Sequence, residues 1–189
     1  PIESDASAAS YFFAAPAICG GWAEVTHISR QARQGDIVFL DVLAEMGCTI
    51  EALPQAIRVT GPTRLRGVDV DMADTPDTAQ TLAVIAPFAD SPTTIRGIAS
   101  ARLKESDRIS ATCAELARLG VRVDEHPDGM TIYPCDDIRP ARIQTYNDHR
   151  MAMAFALVGL RTPESKSKTP VAWRKPFQVT SKFWIACNE

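Results

Sequence analysis

The chain contains no CxxC pair. Its five cysteines, Cys19, Cys48, Cys113, Cys135 and Cys187, are odd in number and widely spaced. That argues against a zinc site or a disulfide framework and leaves free thiols in a reducing cytoplasm as the expectation. No apolar run approaches the roughly 18 residues that a membrane span needs. Neither sign of charge dominates: the formal net charge is -3, which gives no electrostatic ground for nucleic acid or an acidic membrane as partner. The chain opens at Pro1 rather than Met and shows no signal peptide, so it reads as a piece of a longer protein. What is present is a globular composition, 46% hydrophobic and 23% charged over 189 residues. That is enough for one well-cored domain or two small ones.

Internal repetition sets the expected architecture. The stretch DVLAEMGCTIEALPQAIRV from Asp41 matches AELARLGVRVDEHPDGMTI from Ala114, 73 residues on. Leu43 meets Leu116, Met46 meets Leu119, Gly47 meets Gly120, and Pro54 meets Pro127. Val42, Leu43 and Met46 form an apolar helical stripe, as do Cys113, Leu116 and Leu119. The two glycines fall where a helix C-terminus favours a left-handed residue. Short alternating strands follow, split by turns at Leu53-Pro54-Gln55 and Pro127-Asp128-Gly129.

A second set of matched helices opens with Asp5, Asp77 and Asp148, spaced by 72 and 71 residues. Each aspartate is placed to cap free backbone N–H groups and oppose the positive helix end. The chain thus reads as α/β (α+β): three βαβαββ-like units of about 70 residues, the last incomplete.

Three parallel helices beginning near one surface would make that surface attractive to phosphates and carboxylates. Three polar clusters flank the expected helix starts. In Arg102-Leu103-Lys104-Glu105-Ser106-Asp107-Arg108, Lys104 and Arg108 fall on one face of a helix entrance. Two cations there oppose the helix dipole and make sense if an anion binds between them, or if the face is simply solvated. In Asn147-Asp148-His149-Arg150, Arg150 can hold a carboxylate or phosphate through two parallel hydrogen bonds, or be a solvated arginine beside a cap. In Asp71-Met72-Ala73-Asp74-Thr75-Pro76-Asp77, the carboxylate of Asp77 near bound anions would have a raised pKa and could move a proton.

Taken together, DMADTPDTAQTLAVIAPFA, RLKESDR and TYNDHRMAMAFAL, with DASAASYF and QGDIVFLDVLAEMG, resemble the 5-enolpyruvylshikimate-3-phosphate synthases. The likeness runs from about residue 3 to residue 163, roughly 85% of the chain. The enolpyruvyl transferases that act on UDP-N-acetylglucosamine share the fold but fit less well, because KESDR and NDHRMAM look like the shikimate branch. The resemblance implies one lobe of an inside-out α/β barrel, residues 1–163, and a divergent tail, 164–189. It implies transfer of the enolpyruvyl group of phosphoenolpyruvate to shikimate 3-phosphate without metal or organic cofactor. By the same resemblance Asp77 serves in proton transfer and Glu105 is an acid–base group. Lys104 lies near shikimate 3-phosphate, Arg108 and Arg150 clamp the phosphoenolpyruvate carboxylate, and His149 lies beside that clamp. Ser100 stands where the family usually has Asn, a shorter donor for the same substrate contact.

The family's first lobe, with its phosphate-gripping Ser-Ser-Gln stretch, has no counterpart here, so the expectation is a half-site silent on its own. An isolated anion-binding module and a remnant without function are the competing readings. The family ends in a Gly-Val-Ala-Lys-Thr-Phe-Pro-like turn bearing a catalytic lysine. Here the tail reads PESKSKTPVAWRKPFQVTSKFWIACNE, and Lys175 falls near that lysine's place. Suitable codons for this stretch, read from the third base of the Pro163 codon, spell RIKIKDPGGVAKTFPGYFEVLDSLQR, a family-like ending. A frameshift near Pro163 is therefore expected.

Overall fold

The computed structural model describes residues 3–162 and the backbone of 166–167 and 185–186. From its first helix onward, each of two successive units has the same order of helices and strands. The first runs α1 (Ala6–Cys19), β1 (Trp22–Thr26), α2 (Phe39–Glu45), β2 (Thr49–Leu53) and β3 (Ala56–Thr60). The second runs β4 (Asp69–Asp71), α3 (Ala79–Ile85), β5 (Thr93–Arg96), α4 (Arg108–Arg118), β6 (Val123–His126) and β7 (Gly129–Ile132). A third begins with β8 (Arg142–Ile143) and α5 (His149–Val158), and Lys166–Ser167 adds β9, parallel to β8.

The sheets repeat as well. One is ordered β4-β5-β7-β6, the other β10-β1-β3-β2, where β10 is Ile185–Ala186. Both carry the expected hairpins: Leu53 pairs with Ala56, and His126 with Gly129. They differ at one edge, because β4 runs parallel to β5 whereas β10 runs antiparallel to β1.

The 73-residue offset persists down to single hydrogen bonds. Cys48 N–H donates to the Leu43 carbonyl at 2.9 Å, and Val121 N–H to Leu116 at 3.0 Å. Gly47 and Gly120 both have positive φ, 106° and 86°. This six-to-one bond beside a left-handed glycine is the Schellman closure of a helix. Further on, Arg66 N–H donates to Met46 and Arg139 N–H to Leu119, so each chain leaves its helix by the same route.

α1, α3 and α5 are buried around nearly their whole circumference, as apolar helices at a centre must be. All seven residues of α3 are buried, and the three helices touch one another. Ser10 on α1 meets Thr81 on α3 through their hydroxyls at 3.1 Å in this buried interior. The sheets lie outside these helices, which is the inside-out arrangement expected. No helix among the described residues is long and apolar enough to cross a membrane. Cys48, Cys113 and Cys135 are free thiols. Burial pushes Cys48 and Cys113 up to about 12, so both are unreactive core residues.

One core residue goes against its surroundings. Gln80 on α3 is buried, and neither of its amide atoms has a hydrogen-bond partner among the described residues. An unsatisfied buried polar group costs about 1–3 kcal/mol. Gln80→Met, close in volume, is expected to raise the free energy of urea unfolding by about that amount. A fall in stability would show that the amide serves a partner.

Candidate active site

Three helix starts converge, and the side chains that begin them form one ionic cluster. Arg108 is the first residue of α4 and lies at its centre, only 1% exposed. Its Nε donates to Asp148 Oδ2 at 2.8 Å and its Nη2 to Oδ1 at 3.2 Å, a two-bond fork of the kind that makes Arg–carboxylate pairs strong. Nη1 reaches Asp77 Oδ1 at 3.0 Å, and Nη2 also reaches Glu105 Oε2 at 2.6 Å. Burial alone would weaken the guanidinium charge. The carboxylates of Asp148, Glu105 and Asp77 outweigh it and hold Arg108 protonated.

Asp148 is wholly buried and has two roles. It caps α5 by accepting the Arg150 N–H at 2.9 Å, and it accepts the Ser106 hydroxyl at 3.0 Å besides the Arg108 fork. Burial pushes its carboxyl up, but Arg108, the Arg150 N–H and Ser106 reverse this and hold it below the usual carboxylate range.

Asp77 bridges the cations. Arg150 Nη2 donates to its Oδ2 at 3.0 Å, and Lys104 Nζ lies 3.7 Å from its Oδ1. The Tyr11 hydroxyl of α1 lies within the electrostatic reach of Arg150. Burial lifts Tyr11 to about 12, although the charge of Arg150 pulls the other way. Tyr11 therefore stays a neutral phenol. His149 Nδ1 lies 3.9 Å from Glu105 Oε1 and from Asp148 Oδ1.

The cluster thus sets Lys104, Arg108 and Arg150 against Asp77, Glu105 and Asp148. It is graded from a buried floor, Arg108 with Asp148, to an open rim. Glu105 and Lys104 are exposed, and His149 is half-buried beside them. The floor can hold a fixed arrangement while rim groups exchange partners or protons.

Two sequence expectations are corrected here. Asp77 does not cap α3: the cap position belongs to Thr78, and no side-chain capping bond forms there. The three cations draw the Asp77 carboxylate into the cluster instead. Asp5 does cap α1 by accepting the Ala8 N–H at 3.0 Å. Nor do Lys104 and Arg108 share a helix face. α4 starts only at Arg108, because Asp107 caps it through the Ser110 N–H at 3.0 Å, and Lys104 is in extended backbone before it. The chain's own carboxylates neutralise the cations there.

Of the expected site residues, Asp77, Lys104, Glu105, Arg108, His149 and Arg150 come together. Ser100 is exposed on the 3-10 turn Ala99–Leu103 and takes no part in this ion-pair network. Lys175 lies outside the described residues. Sequence reasoning missed Tyr11, Ser106 and the ion-pairing role of Asp148. The phenol of Tyr11 on the largely apolar α1 is the one signal that could have found it.

Buried helices enclosed by repeated sheets, with an ionic cluster at the helix starts, place the chain with the enolpyruvyl transferase folds. EPSP synthase from Acinetobacter baumannii superposes with a TM-score of 0.75 at 26% identity, covering 88% of this chain and 40% of that one. The enolpyruvyl transferase NikO from Streptomyces tendae shares the fold alone, with a TM-score of 0.62 at 19% identity over 88% of this chain and 38% of that one.

The family described as EPSP synthase (3-phosphoshikimate 1-carboxyvinyltransferase) matches residues 1–181, and the chain belongs to it. The 3-phosphoshikimate 1-carboxyvinyltransferase of Nostoc punctiforme is 53% identical over 176 residues, 93% of this chain and 41% of that relative. The chain therefore spans about two fifths of the length of the curated relative it matches.

Proposed function

We propose that this chain is the second lobe of an enzyme that moves the enolpyruvyl group of phosphoenolpyruvate to the 5-hydroxyl of shikimate 3-phosphate, with release of phosphate. The observation that carries the reading is the meeting of two partly exposed carboxylates, Asp77 and Glu105, with Arg108, Arg150 and Lys104 at three helix starts. The relatives' own activity supports the choice of substrates.

The reaction needs a proton on the enol carbon, attack by a hydroxyl on the adjacent carbon, and loss of phosphate from the tetrahedral adduct together with one proton of the new methyl group, which restores the double bond. Glu105, at the rim, is the proton donor to the enol carbon. Asp77 accepts the proton of the attacking hydroxyl. Arg150 holds the phosphoenolpyruvate carboxylate with support from Arg108, whose fork toward Asp148 fixes its plane. Lys104 and Ser100 face shikimate 3-phosphate, and His149 stands beside the carboxylate clamp. Lys175 belongs to the tail and enters by resemblance alone.

The first lobe would close the cleft and exclude water, so this chain alone binds without turning over. Its setting is cytoplasmic, in keeping with the free thiols. The frameshift at Pro163 is part of the same reading. Sequencing the coding DNA tests it: codons unable to spell the shifted peptide would sink it.

Titration of the chain with phosphoenolpyruvate tests the site. Arg150→Ala is expected to weaken binding by about 10- to 100-fold, the worth of hydrogen bonds between charged groups. Unchanged affinity would contradict the assignment of the clamp.

A further inference from the structure

The two units of the repeat differ at one buried position, and the difference points toward the site. Val42 on α2 corresponds to Glu115 on α4. Val42 is an ordinary core residue, whereas Glu115 is a carboxylate with no exposed surface. Its Oε2 accepts the Gln144 N–H at 3.0 Å, and its Oε1 accepts the Tyr146 hydroxyl at 2.9 Å. Arg118 Nε lies 3.1 Å from Oε2 and supplies the countercharge.

The segment that Glu115 holds leads directly into α5. Asp148 N–H closes a turn onto the Thr145 carbonyl at 2.8 Å, and a turn of the same kind follows β4, where Thr75 N–H meets the Met72 carbonyl at 3.0 Å. Yet the residues inside the two turns differ in conformation. Tyr146 and Asn147 both have positive φ, 52° and 56°, whereas Ala73 and Asp74 inside the other turn do not. Two consecutive non-glycine residues in the left-handed region are unfavourable and persist only when their surroundings hold them.

We propose that Glu115 is a positioning residue: its buried carboxylate clamps the Tyr146-Asn147 turn and so sets Asp148, and through it the Arg108 fork and the Arg150 backbone, at the base of the anion site. The inference rests on the reading of that cluster as the anion site. Burial and the Glu115 carboxylate both raise Tyr146, so its hydroxyl remains a proton donor. Apolar packing at this position, as at Val42, would give α4 its core contact but could not accept these two hydrogen bonds.

The test is amide hydrogen exchange of the whole chain, with phosphoenolpyruvate titration of the same samples. In Glu115→Gln, exchange at Gln144, Asp148 and Arg150 is expected to quicken about tenfold, with the central helices unchanged. Phosphoenolpyruvate binding is expected to weaken in parallel. Tyr146→Phe removes one bond and leaves the carboxylate, so it is expected to loosen Asp148 and Arg150 while sparing Gln144. Protection lost evenly across the chain, or unchanged at these amides, would overturn the proposal. If the wild-type chain binds no phosphoenolpyruvate, the anion-site reading fails by itself, and the exchange pattern still decides whether Glu115 sets the turn.

Discussion

Asp148→Ala is expected to lower the free energy of urea unfolding by about 3–5 kcal/mol at pH 7, because it removes the buried carboxylate that holds the Arg108 guanidinium through two bonds and leaves only the more exposed Asp77 and Glu105. Arg108 is 1% exposed and Asp148 has no exposed surface, so water cannot replace the lost carboxylate. Asp5→Ala is the matched control. It removes a cap at the corresponding helix start on an exposed residue and is expected to cost about 1 kcal/mol.

The same pair sets an acid dependence. Burial pushes Asp148 up, but Arg108 and the other donors more than reverse that, so its folded value lies below its unfolded one. The stabilisation is then complete above about pH 4, the ordinary aspartate value, and fades as pH falls through the lower folded value. The deficit of Asp148→Ala against wild type should therefore shrink below about pH 4. A deficit that stays constant down to the acid transition would show that the ion pair is not its source.

Leu43→Ala and Leu116→Ala are each expected to cost about 2–5 kcal/mol, the range for truncating a fully buried leucine. Both side chains are wholly buried, and both carbonyls accept the bond that closes their helix. Because the two sites are the same position of one repeat, their losses in urea unfolding should be similar. A large loss at one and almost none at the other would mean that the units share a backbone plan but not a common core.

Much of this fold was legible because it is repeated. The alignment of Leu43 with Leu116 and of Gly47 with Gly120 set helices, helix ends, hairpins and offset together. A local pattern seen twice constrains more than a pattern seen once. The site was legible in its membership but less so in its connections. Asp5, Asp77 and Asp148 look alike in sequence, each before an apolar helix. Only the three-dimensional neighbours decide that Asp5 caps, Asp77 pairs and Asp148 does both. The cap at Asp107 delays the start of α4, and that moved Lys104 off the face on which periodicity had placed it. Tyr11 was hidden because an aromatic in an apolar helix reads as core until its hydroxyl is placed near Arg150.

The central claim is that this chain carries half of an enolpyruvyl transfer site. The direct measurement is phosphate release from shikimate 3-phosphate and phosphoenolpyruvate when the chain, with its tail in the shifted frame, is mixed with the first lobe of the Nostoc punctiforme relative. Release is expected only when both lobes are present, falling at least about 100-fold in Asp77→Asn, as for loss of a general acid–base group. No release from two folded lobes that both bind their substrates, or release from this chain alone, would contradict it.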